Sequence, residues 1–418
     1  MTTTSQKLNF LADIILQGRT DDDVRLALKP KHEKAQQRFP GGSECNTEAI
    51  TSRWQYIGDS VASESIYNGE NLEVYKSNIE NCIGTVKIPV GVAGPLRVNG
   101  TFANGDYLLP LATTEAALVA SYNRGAAVIS KAGGCSAVLF SEGVTRSPGF
   151  VFKTMGEMIS FSHWILMQKE ILTEVAAKTT KHGRLQDVRL AAEGNHLYLL
   201  CDFSTADASG QNMVTIATQA ICEYIIEHTP VSPEYWYVEA NASGDKKATV
   251  QSFTTVRGKK VSVEVVIPDK VIQKYLHTTT ERMVDYWRMS AIGGVMTGTM
   301  GVQGHYANGL AALFIACGQD AACVAEAAVG ITRFERQSDD SLYASATLPN
   351  IIIGTVGGGT KLPSQQASLE IMRLAGIGKS RAFAEVCAGT ALAGEISIIG
   401  SLSAGDFTRA HEGLARQR

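Results

Sequence analysis

A charged triplet, Asp245-Lys246-Lys247, lies in a segment rich in Gly, Ser and Asn. A lysine fixed in such a loop can stabilise the negative charge that develops on a carbonyl oxygen, and an adjacent acid can orient it. The alternative, three solvated charges on a surface loop, stays open on these residues alone. His411, near the C-terminus, has a similar pair of explanations: it is either a surface residue or a mobile general acid that closes over a site.

Two further segments have the composition of ligand-binding loops. Gly354–Thr360 (GTVGGGT) follows the apolar run NIII, and its consecutive glycines permit positive φ and close approach of a ligand to main-chain N–H groups. Asp207–Met213 (DASGQNM) lies where a predicted strand meets a predicted helix, whose N-terminus is suited to a phosphate. The alternatives are a tight turn for the first segment and an Asp or Ser N-cap for the second.

Glu115 also has a chemical and a structural interpretation. Thr113-Thr114-Glu115 precedes an Ala-rich stretch that runs to Gly133-Gly134 and is predicted to be a helix beginning at the two threonines. A Thr N-cap followed by an acid suits a helix N-terminus, so capping alone accounts for the carboxylate.

Several classes of site are disfavoured by the absence of their motifs. The sequence has no H-E-x-x-H, no G-x-S-x-G, no G-x-G-x-x-G and no P-loop. We therefore expect no catalytic metal and no serine hydrolase. The eight cysteines have no C-x-x-C spacing, which predicts buried, reduced thiols.

Composition indicates an ordinary globular protein. The chain has 418 residues, 44% hydrophobic and 19% charged, with a formal net charge of −3. This balance argues against a strongly basic nucleic-acid or anionic-membrane binder, and the length is a prior for two or three domains. With no visible secretory signal or bilayer span, we expect a soluble, cytoplasmic protein that binds neither nucleic acid nor membrane.

The predicted elements divide the chain into three parts. Residues 1–40 form a charged helical arm that is interrupted at Pro40-Gly41-Gly42. Residues 148–239 have the order β-α-β-β-α-β of a ferredoxin-like unit, with one helix predicted over 155–178 and another over 210–228. After this unit we expect a loop and a hairpin up to Pro268 and a helix over 269–288. Ala/Gly-rich helices are expected over 305–410, interrupted by the strand and loop LPNIIIGTVGGGTKLP (348–363).

Five ordered blocks resemble the hydroxymethylglutaryl-coenzyme A reductase family. They are ENCIGTVKIPVGVAGPL (80–96), LATTEAALVASYNRG (111–125), DKK (245–247), FIACGQDAA (314–322) and GTVGGGT (354–360). The forms VGVAGPL and GTVGGGT look like the class I branch, in a soluble form. The resemblance implies an α+β fold in which a large mixed α/β domain (41–147 and 240–418) binds the acyl-coenzyme A. It also implies that a small inserted domain (148–239) binds NADPH, and that the assembly is a homodimer or a higher even oligomer.

The same resemblance implies a reaction and the residues that perform it. The family reduces an acyl thioester to a primary alcohol with two hydrides, which needs an oxyanion stabiliser and two proton donors. The matching positions are Lys246 for the oxyanion, Glu115 for the aldehyde oxygen and His411 for the departing thiolate. Asp320 would lie between Lys246 and Glu115 and couple their charges, and Glu115 would need a raised pKa.

Binding positions are implied in the same way. The positions that would hold the acyl group are Arg146, Asp245, Lys247 and Asn308. The positions that would hold the cofactor are Asp207, Ser209, Gly210, Gln211, Asn212, Val356, Gly357 and Arg416. The last of these would lie near the 2′-phosphate, where a cation favours NADPH over NADH.

Some residues depart from the family pattern. Ser209 and Gln211 replace two methionines of the cofactor motif, and Glu239 stands where the family usually has a serine that touches the substrate. Ile352 replaces a frequent glutamate, and Arg288 is the nearest match to a pocket lysine. Glu239 and the altered DASGQNM favour one alternative to hydroxymethylglutaryl-coenzyme A reduction, a paralogue that reduces another acyl thioester. A second alternative is a non-catalytic relative that binds coenzyme A, against which the retention of Glu115, Lys246, Asp320 and His411 argues.

Overall fold

The computed structural model describes residues 20, 22–23, 39–40, 42–58, 66–67, 69–254 and 257–405. The chain divides into two compact units, Met1–Thr85 and Val86–Arg418. Most of the predicted arm over residues 1–40 lies outside the described residues. The predicted domain boundaries stay predictions.

The first unit is organised around a single helix. Helix α1 (Thr47–Ile57) begins after Asn46, whose side chain accepts from the N–H of Ala49, and ends at Gly58 in the left-handed conformation. The buried guanidinium of Arg53 donates to main-chain carbonyls of the surrounding segments, at Pro40, Gly42, Glu44 and Cys82. A buried cation is tolerated here because its donors are satisfied by these oxygens.

The second unit contains an eleven-stranded mixed sheet. Its strands are β1 (Val90–Gly100), β2 (Asn104–Ala112), β3 (Cys135–Arg146), β4 (Gly149–Val151), β5 (Arg184–Glu193), β6 (His196–Ser204), β7 (Tyr235–Tyr237), β8 (Gly258–Ile267), β9 (Gly301–Val302), β10 (Gly330–Arg336) and β11 (Leu342–Ile351). The helices are α2 (Leu118–Lys131), α3 (Met155–Leu166), α4 (Lys169–Thr179), α5 (Gln211–His228), α6 (Asp269–Leu276), α7 (Thr280–Thr297), α8 (Tyr306–Ala316), α9 (Val324–Ala327), α10 (Pro363–Ile371) and α11 (Ser380–Ala404).

Strand β3 joins two parts of the sheet. Its first part pairs with β8, from Ser136 to Gly143, and its last residues, Val144–Arg146, pair with β6. The sheet order β7-β4-β6-β3-β8-β11-β10-β9 therefore places two hydrophobic cores on either side of this strand. Arg146, the last residue of β3, lies where the two parts meet.

The larger core surrounds α11, and the smaller one lies between β4–β6 and α3–α5. Within the described residues, α11 is long and apolar enough to cross a membrane, and almost all of that stretch is buried in the larger core. All eight cysteines are free and buried, which confirms the expectation of unpaired thiols.

The predicted order of elements over 148–239 is confirmed, with one correction. The helix expected over 155–178 is two helices, because α3 ends at Leu166 and α4 begins at Lys169. The N–H groups of Met167 and Gln168 donate to carbonyls three residues back, at Trp164 and Ile165. Such i→i−3 bonds tighten the last turn and end an α-helix.

Two other predictions were wrong in their local detail. The hairpin expected before Pro268 is a single strand, β8, which pairs with the distant strands β3 and β11. The helix expected over 269–288 is also two helices. Helix α6 ends where His277 adopts φ 54°, and α7 begins after Thr279, whose hydroxyl accepts from the N–H of Arg282.

Candidate active site

Lys246 and Asp320 form an ion pair that faces solvent. Lys246 Nζ lies 2.8 Å from Asp320 Oδ2, and each side chain is 44% exposed. The hydrogen bond to Asp320 raises the pKa of Lys246, although partial burial acts in the opposite direction. The site therefore presents a fixed, accessible positive charge, in a loop where Lys246 adopts φ 57°.

Asp245 connects two buried arginines beneath this lysine. Its Oδ2 accepts from Arg146 Nη1 at 3.0 Å, and its Oδ1 pairs closely with Arg257 Nη2. Burial acts to raise the pKa of Asp245, but the guanidinium groups of Arg257 and Arg146 outweigh it and lower the pKa below its usual value. Asp245 is thus an anion held between two cations, which fixes the start of the lysine loop.

Glu239 is committed to the protein rather than free for a ligand. One oxygen accepts from Arg146 Nη1 at 3.3 Å and from the main-chain N–H of Ser147 at 3.1 Å. The other accepts from the N–H of Asn241 at 2.8 Å and the hydroxyl of Ser243 at 3.1 Å. These four donors turn the carboxylate toward the loop that leads to Lys246.

Two residues that the sequence analysis missed complete the charged network. Arg257 Nη2 donates to the side-chain oxygen of Gln211 at 2.8 Å, and Arg257 Nε lies 3.1 Å from Glu326 Oε2. Glu326 is fully buried and accepts the main-chain N–H of Lys246 at 3.1 Å. The sequence did contain a signal for a buried functional carboxylate, because Glu326 is the one charged residue in the apolar run AACVAEAAVG (321–330).

Glu115 is positioned by Asn308 and not by a helix cap. Both of its carboxylate oxygens accept from Asn308 Nδ2, at 2.9 and 3.2 Å. Helix α2 begins at Leu118 after Ala117 in the left-handed conformation, so the predicted helix start at Thr113-Thr114 was wrong. The carboxylate is exposed within the chain, and burial by the chain itself therefore does not supply the environment predicted for it.

Asp320 is joined to Lys246 but not to Glu115. Among the described residues, no hydrogen bond or ion pair links the two carboxylates. Two carboxylates of like charge form neither contact at any distance, so the predicted position of Asp320 between Lys246 and Glu115 stays a prediction. Lys247, the third residue of the triplet, is exposed and donates from Nζ to the main-chain oxygen of Asp245 at 2.8 Å.

The two predicted cofactor loops lie against each other. A Cβ on Gly354 would come within 2.6 Å of the main-chain nitrogen of Ser209, and the N–H of Thr355 donates to the carbonyl of Asp207 at 2.9 Å. The N–H of Gly354 donates to Gln319, the neighbour of Asp320, at 2.8 Å. The fold thus places both loops next to the charged network.

The side chains of these loops have structural partners. Asp207 accepts from the N–H groups of Gly378 and Ser380, at the start of α11, so it does not cap the helix that follows it. Gly210 has φ 76° at the beginning of α5, where no side chain caps the first turn. Gln211 is turned inward to Arg257 and Cys323, whereas Asn212 is exposed.

Two predicted site residues, His411 and Arg416, lie outside the described residues. Among the residues that the structure does describe, no group of three or more His, Cys, Asp and Glu side chains could hold a metal ion.

Comparison with known proteins identifies the family. A sequence profile described as "Hydroxymethylglutaryl-coenzyme A reductase" matches residues 49–416. The 3-hydroxy-3-methylglutaryl-coenzyme A reductase of Pyrococcus horikoshii is 38% identical over 416 residues, covering 98% of this chain and 99% of the relative. The enzyme of that name from Methanocaldococcus jannaschii is 42% identical over 346 residues, covering 82% and 85%. The chain belongs to the hydroxymethylglutaryl-coenzyme A reductase family.

Solved structures of the family share the fold. A 3-hydroxy-3-methylglutaryl-coenzyme A reductase of Streptococcus pneumoniae has a TM-score of 0.65 at 17% identity, covering 86% of this chain and 97% of that one. A class II enzyme from the same organism, bound to NADPH, has a TM-score of 0.64 at 17% identity, with the same coverage. The predicted α+β fold is confirmed, while the class I-like branch stays a prediction.

The departures from the family pattern have different structural contexts. Glu239 and Gln211 belong to the charged network around Arg146 and Arg257. Ile352 is buried in the larger core, and Arg288 lies on the exposed side of α7, where it pairs with Asp285 at 3.2 Å. Only the first two therefore alter groups that surround Lys246.

Proposed function

We propose that the chain reduces 3-hydroxy-3-methylglutaryl-coenzyme A to mevalonate and free coenzyme A, with two molecules of NADPH, in the mevalonate pathway to isoprenoids. The observation that carries this assignment is the solvent-facing ion pair between Asp320 and Lys246, the central residue of the DKK motif. The family membership supplies the reaction. The arrangement of the side chains supports the roles proposed below.

Lys246 stabilises the negative charge that develops on the carbonyl oxygen at each reduction. Its ammonium group is charged at neutral pH, Asp320 raises its pKa further, and the ion pair fixes the direction of Nζ. A preorganised cation stabilises developing charge without having to reorient during the reaction. Asp320 is accordingly a positioning partner of the lysine.

Glu115 delivers a proton to the aldehyde oxygen. Asn308 donates to both of its oxygens and so holds the carboxyl group in one orientation. Because Glu115 is exposed in the single chain, bound substrate and a second chain would supply the burial that a proton donor needs. His411 stays the proposed acid for the thiolate of coenzyme A.

Arg146, Asp245 and Lys247 bind the carboxylate and hydroxyl of the acyl group. Lys247 is exposed beside Asp245, and its ammonium can pair with a carboxylate. Arg146 is buried, and its Nε has no partner among the described residues although Nη1 contacts two carboxylates. A buried donor without a partner favours a ligand that can accept from it.

The two glycine-containing loops fit NADPH, which supplies the hydrides when bound. The first turn of α5 has no side-chain cap, so its N–H groups are open to a pyrophosphate. Gly357 and Gly358 have positive φ, and a Cβ on either would meet no atom within 4 Å, which leaves main chain facing open space. Residues that would hold the cofactor are Asp207, Ser209, Gly210, Gln211, Asn212, Val356, Gly357 and, outside the described residues, Arg416. Asp207 and Gln211 would shape this site through their hydrogen bonds within the protein.

A second copy of the chain completes the assembly in this proposal. Helix α7 exposes four apolar side chains, at Met289, Ile292, Val295 and Met296, each more than 60% accessible. Such a contiguous apolar face is typical of a surface that another chain covers. We therefore assign a homodimer or a higher even oligomer, in the cytoplasm, and sedimentation equilibrium tests the stoichiometry.

The contacts of Glu239 argue against the paralogue alternative. A carboxylate facing the substrate would have repelled the acyl carboxylate, but Glu239 accepts from four donors of the protein itself. No observation favours a second function.

The test is the oxidation of NADPH at 340 nm with 3-hydroxy-3-methylglutaryl-coenzyme A, together with titration of the released thiol. Two oxidised cofactors for each free thiol are expected. Lys246→Ala should abolish turnover while coenzyme A still binds, and Lys274→Ala, an exposed lysine on α6, serves as the matched control. A folded protein without turnover, or a Lys246→Ala variant with near-normal turnover, would refute the assignment.

A further inference from the structure

Glu326 is a buried carboxylate for which the proposed reaction has no direct use. It lies on the single-turn helix α9 and has no exposed surface. Its Oε1 accepts the main-chain N–H of Lys246 at 3.1 Å, and its Oε2 lies 3.1 Å from Arg257 Nε. Burying a carboxylate is costly unless it is paired. The contacts with Arg257 and with the N–H of Lys246 offset that cost, and the second one links Glu326 to the proposed oxyanion stabiliser.

The segment that carries Glu326 holds Lys246 at both ends. Asp320 holds the ammonium group at 2.8 Å, and Glu326, six residues later, holds the main-chain nitrogen. Lys246 adopts φ 57°, a left-handed conformation that is unfavourable for a residue with a Cβ. A hydrogen bond to its N–H therefore helps to keep the lysine in the conformation that directs its side chain toward Asp320.

Several charged and titratable groups surround this carboxylate. Arg257 approaches from the start of β8, Asp245 and Lys246 from the loop after β7, and Cys323 from the preceding turn. Burial raises the pKa of Glu326 to about 7, and Arg257 opposes the rise. Burial also raises the pKa of the Cys323 thiol to about 12, so it stays neutral there. Glu326 is consequently the group of this cluster that changes charge near neutral pH.

We propose that Glu326 is a positioning residue for Lys246 and makes the placement of that lysine depend on the charge of a buried carboxylate. The inference rests on the proposed role of Lys246 in the reaction. When Glu326 is ionised, it anchors the lysine main chain and pairs with Arg257. When it takes up a proton, the pairing with Arg257 weakens and the charge-assisted anchor of Lys246 is lost.

Glu326→Gln separates charge from shape. The amide keeps the size of the side chain and an oxygen that can accept from Lys246, but it cannot form the ion pair. We expect wild-type kcat to fall as the pH is lowered through about 7. In the variant this acidic limb should be absent, and kcat at pH 8 should fall by about tenfold or more, with KM within about twofold, because displacing a reacting group lowers the rate and not the affinity.

Glu385→Gln is the matched control. Glu385 is another fully buried glutamate that accepts main-chain N–H groups, from Phe102 and Ala103 on the turn after β1, and it has no contact with Lys246. It should retain the wild-type pH profile of kcat even where its stability falls. A Glu326→Gln variant with an unchanged acidic limb and kcat within twofold of wild type would overturn the proposal.

A second measurement needs no Glu326 variant and no turnover. In protein labelled with 15N-lysine, with the Lys246 amide assigned through Lys246→Arg, the Lys246 amide shift should titrate with a midpoint near pH 7. An amide shift that stays constant between pH 5.5 and 8.5 would overturn the proposal. Because the amide reports the contact itself, failure of the proposed reaction and failure of this inference give different results.

Discussion

Removing the carboxylate of Asp320 should disable the site with little effect on stability. Asp320→Asn keeps the size of the side chain and an oxygen that can still accept from the N–H of Ala322, which Asp320 caps at 3.0 Å. The variant loses the ion pair that fixes Lys246 Nζ. The ammonium group stays charged without its partner, so the change removes a fixed position and not a charge.

The exposure of the pair sets the expected magnitudes. Both side chains are 44% accessible, and ion pairs of this kind contribute about 0–1 kcal/mol to the free energy of unfolding. An oxyanion stabiliser that is no longer held in place should cost far more in the transition state, roughly 10²-fold to 10³-fold in kcat. The prediction is therefore a large loss of kcat in a protein that unfolds almost as wild type does.

The assay pairs NADPH oxidation with urea unfolding, and the chain offers a matched control. Asp187 forms an ion pair of similar length with Lys169, 2.7 Å against 2.8 Å for Asp320 and Lys246, and its two side chains are 51% and 52% exposed. Asp187→Asn should shift stability as little as Asp320→Asn does and leave kcat unchanged. Equal kcat in the two variants would refute the reasoning, and so would a loss of several kcal/mol in Asp320→Asn.

Three further predictions concern other parts of the site. The pKa of Glu326 is raised to about 7 in the folded state, so its protonated form contributes stability that is fully present below about pH 4.5 and is lost as the pH rises through 7. Urea unfolding should therefore show that wild type loses about 3 kcal/mol of unfolding free energy across that range relative to Glu326→Gln. Gly354→Ala should raise KM for NADPH by about tenfold while KM for the acyl-coenzyme A stays constant in steady-state kinetics, since the new Cβ would press on the main chain of Ser209. Glu115→Gln should lower kcat by about 10²-fold or more, because it removes the proposed proton donor. Asn308→Ala should lower kcat less, because the Asn308 amide only orients that donor. A larger loss in Asn308→Ala would contradict these roles.

The parts of this site that could be predicted from the sequence are those formed by short, contiguous segments of the chain. DKK, GTVGGGT and DASGQNM are short segments whose residue types carry their chemistry, and the order of strands and helices over 148–239 follows from local hydrophobic periodicity. Element ends were less predictable, since the breaks after Leu166 and Leu276 depend on how the last turn of each helix is hydrogen-bonded.

The sequence by itself determined the family and the fold class, and it marked the DKK segment as a candidate site, because these signals lie in contiguous residues. Only the tertiary structure decided what holds Lys246 in place. Arg146, Arg257 and Glu326 are separated from one another by up to 180 residues. The ends of β3, β8 and α9 bring them together, so that both arginines pair with Asp245 and Glu326 pairs with Arg257. A buried charge is stable only where distant partners converge on it, and that convergence is a property of the fold and not of any segment of the chain.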